Sequence, residues 1–406
     1  MYKPPLIKSV VHNRWFILAI ACFINLCVGS TYAWSVFATP LAQELNVEST
    51  SIVFSITNSV GFITMIIGGI LNDKYGPKWV VFLGGLLFGG GMFLTGFAGS
   101  LRDACMSYGV LLGLGLSLVY GCTISNTIKF FPDHRGLVGG LTTASYGISS
   151  VVLAGIVNSL NERFGVRYSF KILGIVFLIV ICSCSLLLKR YSGDAAHGKD
   201  GCSPEESAGL VAFTPQQMIR TREFYVMMLM LTCGATFGMM IISSASSLVV
   251  NVFFVNMTKA SLLVSALCLA NTIGRIASGI ISDYFGRLRT LCMAYFIAAT
   301  ALIVMIFSEL HMDIVFYIAG IIAIGMCFGT FMGVFPGFCT DHFGQAHNTI
   351  NYGIMWIGFS IGGILGPMIV SRVYSCNGTY TVAFFIAFFL SVIGLIMTYV
   401  YRKTAK

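Results

Sequence analysis

A chain of 406 residues that is 57% hydrophobic and only 10% charged is not a water-soluble globule, because soluble domains carry about 25% charged residues and keep nearly all of them outside. With lipid as the solvent, every backbone polar group must be satisfied internally, so the long apolar runs are helices; strands of about 10 alternating residues, the mark of a membrane barrel, do not fit them. The net charge of +9 reads as an orientation and headgroup signal, with no nucleic-acid partner expected.

The run opening at Trp15 is too long for a signal-peptide core and is expected to be a first span that is not cleaved. Spans are predicted near 15–37, 52–71, 79–99, 104–130, 137–159 and 168–188, then near 224–250, 260–282, 289–308, 313–339, 349–372 and 379–401. Each can cross a hydrocarbon core about 30 Å thick, which takes about 20 helical residues. Between the two sets lies a polar stretch containing Gly193, Asp194, Lys199, Pro204, Glu205 and Glu206, which reads as a flexible linker. The expected organisation is an N-terminal six-helix bundle over 1–188, a cytoplasmic linker over 189–222 and a C-terminal six-helix bundle over 223–406. Of the 24 lysines and arginines, six (Arg102, Arg163, Arg167, Lys171, Lys259 and Arg372) fall on one face and Arg275 inside a span, which leaves 17 on the other. The positive-inside bias then puts both termini and the linker in the cytoplasm, in a plasma or inner membrane.

The two halves echo each other. Gly69-Ile-Leu-Asn-Asp73-Lys-Tyr-Gly76-Pro-Lys78 follows the second span, and Gly279-Ile-Ile-Ser-Asp283-Tyr-Phe-Gly286-Arg287-Leu-Arg289 follows the eighth. From Gly69 to Gly279 and from Asp73 to Asp283 the offset is the same 210 residues, which implies two bundles related by an axis along the membrane normal. In each motif an aspartate falls where a helix reaches the surface, a glycine permits a tight turn, and basic residues open the next span. Such aspartates can latch onto arginines or helix N-termini in one conformation and release in another; the alternative is an ordinary turn with solvated charges.

The doubled loop, the six-plus-six layout and the central linker resemble the major facilitator superfamily. More narrowly, the chain resembles its oxalate:formate antiporter family, through Asn13-Arg-Trp-Phe16, Tyr32-Ala-Trp34-Ser-Val-Phe, Asn126-Thr-Ile-Lys-Phe-Phe-Pro132-Asp-His-Arg135, Tyr146-Gly147 and Asn351-Tyr-Gly353-Ile-Met-Trp356. The resemblance implies an all-α membrane protein with twelve transmembrane helices in two pseudo-symmetric six-helix bundles, working as a monomeric secondary transporter.

One charge lies inside the membrane. Arg275 is eight residues before Asp283, hence about 12 Å deeper at about 1.5 Å per residue. A mid-bilayer arginine costs roughly 2.5–3.5 kcal/mol on insertion scales, so it should face a wet cavity and meet an anion. Its planar fork of donors matches a carboxylate. The alternative is a structural arginine tied to backbone carbonyls of a neighbouring helix. Lys171, one turn from the outer end of its span, can instead snorkel.

The family resemblance implies a dicarboxylate held by this arginine and by a lysine of the eleventh span. The arginine matches Arg275, but the lysine position is Phe359; a family tyrosine and tryptophan of the tenth span match Met332 and Phe328. Aromatic positions match at Tyr32, Trp34, Tyr120 and Trp356, and Asn271 stands where related proton symporters often place an aspartate. One cation suits one carboxylate, and a second would be desolvated against Phe359 and Met332. A small monocarboxylate such as lactate, pyruvate or formate is therefore expected, with an oxalate/formate-type antiporter as the alternative. Without a membrane carboxylate, exchange or facilitated diffusion is expected over proton relay.

The remaining motifs point to packing. Most of the 13 cysteines lie inside apolar runs and read as small buried hydrophobes, with an exterior Cys105–Cys376 pair left open. No Cys/His spacing suggests a metal, no Gly-rich run continues into Lys-Ser/Thr, and no nucleophile–base pair appears, so no metal, cofactor or enzyme activity is expected. Pro336 and Pro367 are expected to kink their helices.

Overall fold

The computed structural model describes residues 5–47, 50–191 and 212–404. Among these residues, twelve helices are long and apolar enough to cross a membrane, and every assigned element is helical. They are numbered here α1 (Pro5–Val28), α2 (Ser51–Tyr75), α3 (Pro77–Thr95), α4 (Gly113–Lys129), α5 (Arg135–Phe164), α6 (Val166–Leu187), α7 (Arg222–Phe253), α8 (Met257–Phe285), α9 (Arg287–His311), α10 (Ile314–Phe343), α11 (Asn348–Asn377) and α12 (Thr381–Thr404). Most of the linker, 192–211, with its glycines, Asp194, Lys199, Glu205 and Glu206, lies outside the described residues.

Several spans differ from the sequence expectation. The run expected as one helix over 15–37 is a helix to Val28, a 3₁₀ turn over Gly29–Ala33 and a second helix over Trp34–Glu44. At Gly29 a Cβ would overlap the Tyr146 carbonyl, and Thr31 Oγ1 bonds both Val28 O (3.2 Å) and the Tyr146 hydroxyl (2.8 Å). A side chain bonding locally in this way competes with the regular ladder. The fourth span enters through a short helix, Leu101–Ala104, and a π-helical stretch, Cys105–Leu112, before α4. Pro336 and Pro367 sit inside α10 and α11 without interrupting them. Cys105 and Cys376 are both free thiols, so the pairing left open is not formed.

Two joints repeat one geometry. Gly76 between α2 and α3 has φ 82°, and Gly286 between α8 and α9 has φ 89°. Both are left-handed positions where a Cβ would be strained, which is why both copies of the motif carry glycine three residues after the aspartate.

Helices α1–α6 pack among themselves, chiefly α3 on α6, α3 on α4, α2 on α4 and α1 on α5; α7–α12 do likewise through α8 on α10, α7 on α11, α9 on α10 and α9 on α12. The two sets meet along two seams: α5 against α8 and α10, and α2 against α11. Small residues permit the first seam. A Cβ on Gly140 of α5, or on Gly329 or Gly333 of α10, would overlap the α8 backbone at Asn271 or Arg275. Arg275 is thereby held between three helices at the middle of the structure.

Candidate functional site

Helix α8 carries Asn271 and Arg275 one turn apart. The Arg275 side chain is 1% exposed, the largest of the fully buried side chains. Its Nε donates to Asn271 Oδ1 (2.9 Å) and its Nη1 to the Thr143 carbonyl of α5 (2.6 Å). These two bonds use two of the five guanidinium donors, and the Tyr120 hydroxyl lies beside the group. The ion pairs among the described residues all involve other cations.

Arg275 lines a cavity of about 50 Å³ between the two helix sets, partly open to solvent. That is room for a few waters or one small anion, since a single water needs about 10–15 Å³ on this measure. Of the residues expected from sequence, Tyr32, Tyr120, Arg275, Met332, Trp356 and Phe359 all line it. Their rings form a continuous wall: Tyr32 and Tyr120 each meet Tyr146 edge-on at 4.7 and 5.0 Å, Tyr120 meets Trp356 at 5.5 Å, and Trp356 stacks on Phe359 at 4.3 Å. Asn271 stands behind, as the neutral acceptor that aims the guanidinium.

Besides Asn271, two expected residues do not reach the cavity. Trp34 lies past the 3₁₀ turn, which swings it into the first helix set against Tyr108 (ring centroids 4.5 Å). Phe328 fills the gap left by Gly238 and touches Phe359 from behind (6.3 Å). Conversely, Thr57, Asn58, Gly61, Met65, Ser117 and Tyr146 line the cavity and were not expected there. On α2, positions 57, 61 and 65 recur at the helical period, but in an apolar span that spacing marks a face without saying what it meets. Tyr146 was visible only as part of a family motif.

Below the cavity, on the basic face, the seams are shut. Asp283 accepts from the backbone N–H groups of Gly136 and Leu137 at the α5 N-terminus, both at 2.8 Å. It also pairs with Arg287 (2.6 Å), which reaches Asp341 of α10 (2.9 Å), and Asp341 pairs with Arg135 (2.6 Å). Anionic oxygens on unsatisfied N–H groups at a helix start complement the helix dipole. Gly279 packs on Gly136 and Gly69 on Ile350, each so closely that a Cβ would overlap backbone. In the α2/α11 seam Asn72 donates to Thr349 Oγ1 (2.9 Å). The Asp73 side chain lies outside what is described, and Lys78 turns onto Trp79 (5.5 Å). On the opposite face Lys171 sits over Phe97 (3.8 Å).

Comparisons with known proteins agree with this architecture. The family model described as Major Facilitator Superfamily matches residues 18–367. The chain is 28% identical to the MFS-type transporter YhjX of Escherichia coli over 87% of its length and 86% of that protein's. It is 26% identical to an oxalate:formate antiporter of Oxalobacter formigenes (88% and 84% covered) and 23% identical to human monocarboxylate transporter 12 (94% and 79%). In fold it is similar to the fucose:proton symporter FucP, with a TM-score of 0.73 at 14% identity, covering 96% of this chain and 99% of that one. Twelve apolar helices in this arrangement and a family match spanning most of the sequence make the chain a transporter belonging to the major facilitator superfamily.

Proposed function

We propose that the chain carries a small organic anion across the membrane, with a monocarboxylate such as lactate, pyruvate or formate seated on Arg275. One observation carries the reading: a fully buried arginine faces a central cavity lined, among the described residues, by no Asp or Glu, and its partners there are all neutral. A guanidinium in low dielectric needs a counter-charge, and a carboxylate arriving in the cavity supplies one in bidentate geometry. The two bundles, 1–188 and 223–406, rock about this site to expose it alternately. In the described state the basic face, which we take as cytoplasmic, is sealed by the Asp283 network, while the exposed Asn58 lies on the side of the cavity away from that seal.

Met332 and Phe359 form the wall where a second carboxylate would sit, which supports one carboxylate over two. The relatives named for oxalate:formate antiport and for monocarboxylate transport fit a carboxylate substrate at either valence. Counterflow in proteoliposomes decides between them: lactate or formate exchanging faster than oxalate supports the proposal, and a preference for oxalate overturns it in favour of the dicarboxylate antiporter. With neutral Asn271 beside the arginine, exchange is expected to proceed without a proton gradient.

A further inference from the structure

The cavity has a second pole. Thr57 and Asn58 of α2 and Ser117 of α4 line the same small space as Arg275, from the other bundle. Each has a donor committed to its own helix. The Thr57 hydroxyl donates to Val53 O (2.9 Å), the Ser117 hydroxyl to Gly113 O (3.2 Å), and Asn58 Nδ2 to Phe54 O (2.9 Å). A hydroxyl has one proton and two lone pairs, so Thr57 and Ser117 have acceptors left to offer. Glycine keeps the place open: a Cβ on Gly61 would collide with Ser117 Oγ.

Both poles line one small cavity of about 50 Å³, which suits a short acid. Tyr120, whose hydroxyl lies beside the guanidinium, is on the same helix as Ser117, one turn along α4. We propose that Thr57 and Ser117 form an acceptor pole that selects a short monocarboxylate bearing a hydroxyl group, a hydroxy acid, over its oxo and unsubstituted analogues. This rests on the reading of Arg275 as the carboxylate's partner. A substrate O–H donates to the pole. A keto oxygen or a second carboxylate presents lone pairs to lone pairs, and an alkyl chain leaves the acceptors buried without a partner.

Three acids of equal carbon number test it: lactate, pyruvate and propionate, compared by counterflow in proteoliposomes. The wild type is expected to show a KM for lactate about tenfold below those for propionate and pyruvate, the worth of about one net hydrogen bond. Ser117→Ala combined with Thr57→Val should reduce that preference to about twofold or less, while Ser117→Thr, which restores a hydroxyl, should retain it. Equal KM values for the three acids in the wild type, or an undiminished preference in the double variant, would overturn the acceptor pole and leave Arg275 as carboxylate site intact. Transport of none of the three alongside oxalate exchange would overturn both readings. Should the double variant not fold, the wild-type ranking decides alone.

Discussion

Arg275 and Arg287 stand twelve residues apart, one in the middle of α8 and the other at the start of α9, and their partners are of opposite kinds. Arg287 is clamped by two carboxylates, Asp283 at 2.6 Å and Asp341 at 2.9 Å, at the basic edge of the α5 seam. Arg275 is the more deeply buried, and its partners are neutral: an amide oxygen, a backbone carbonyl and the nearby Tyr120 hydroxyl. The protein compensates the charge that holds helices together and leaves uncompensated the charge that faces the cavity. A buried cation whose counter-charge is built in stabilises one conformation. On the proposed reading, a cation without one gains its partner only when an anion enters, which would make substrate binding the event that changes the balance between states.

The largest expected effect breaks the cavity side of this contrast. Arg275→Gln should lower carboxylate uptake by about a hundredfold or more, the scale of losing one partner of a buried charge pair, without loss of folded protein. Wild-type uptake by that variant would assign Arg275 a structural role. On the seam side, Asp283→Asn should speed amide hydrogen exchange at Gly136 and Leu137 by roughly ten- to a hundredfold, because charge-assisted bonds become neutral ones. Unchanged protection there would mean the seam is held by the glycine contacts alone. Phe359→Lys places a second cation beside the first and should raise the oxalate-to-lactate uptake ratio by about tenfold; an unmoved ratio would show that Phe359 does not set valence. The smallest effect belongs to Trp34→Phe. That residue packs on Tyr108 away from the cavity, and its KM should stay within about twofold of wild type, the usual reach of a substitution that spares the site. A larger KM change would place Trp34 at the substrate.

The fold was readable because lipid leaves little choice: hydropathy marked all twelve spans, and the 210-residue repeat of Gly69 and Asp73 at Gly279 and Asp283 fixed the pairing of halves. Arg275 was readable for the same reason, since a charge in an apolar span stands out. What the sequence hid was direction. Tyr32 and Trp34 look equivalent on paper, but the 3₁₀ turn over Gly29–Ala33 sends one into the cavity and the other into the bundle. Thr57 and Ser117 were hidden because hydroxyls that bond their own helix are common in membrane spans. Only the cavity between the two helix sets brings these two together with Arg275.

The most direct measurement is a thermal-shift titration of purified wild type and Arg275→Gln with short mono- and dicarboxylates. At least one monocarboxylate should raise the wild-type melting temperature saturably, and none should raise that of the folded variant. The same shift in both proteins would contradict a substrate carboxylate seated on Arg275.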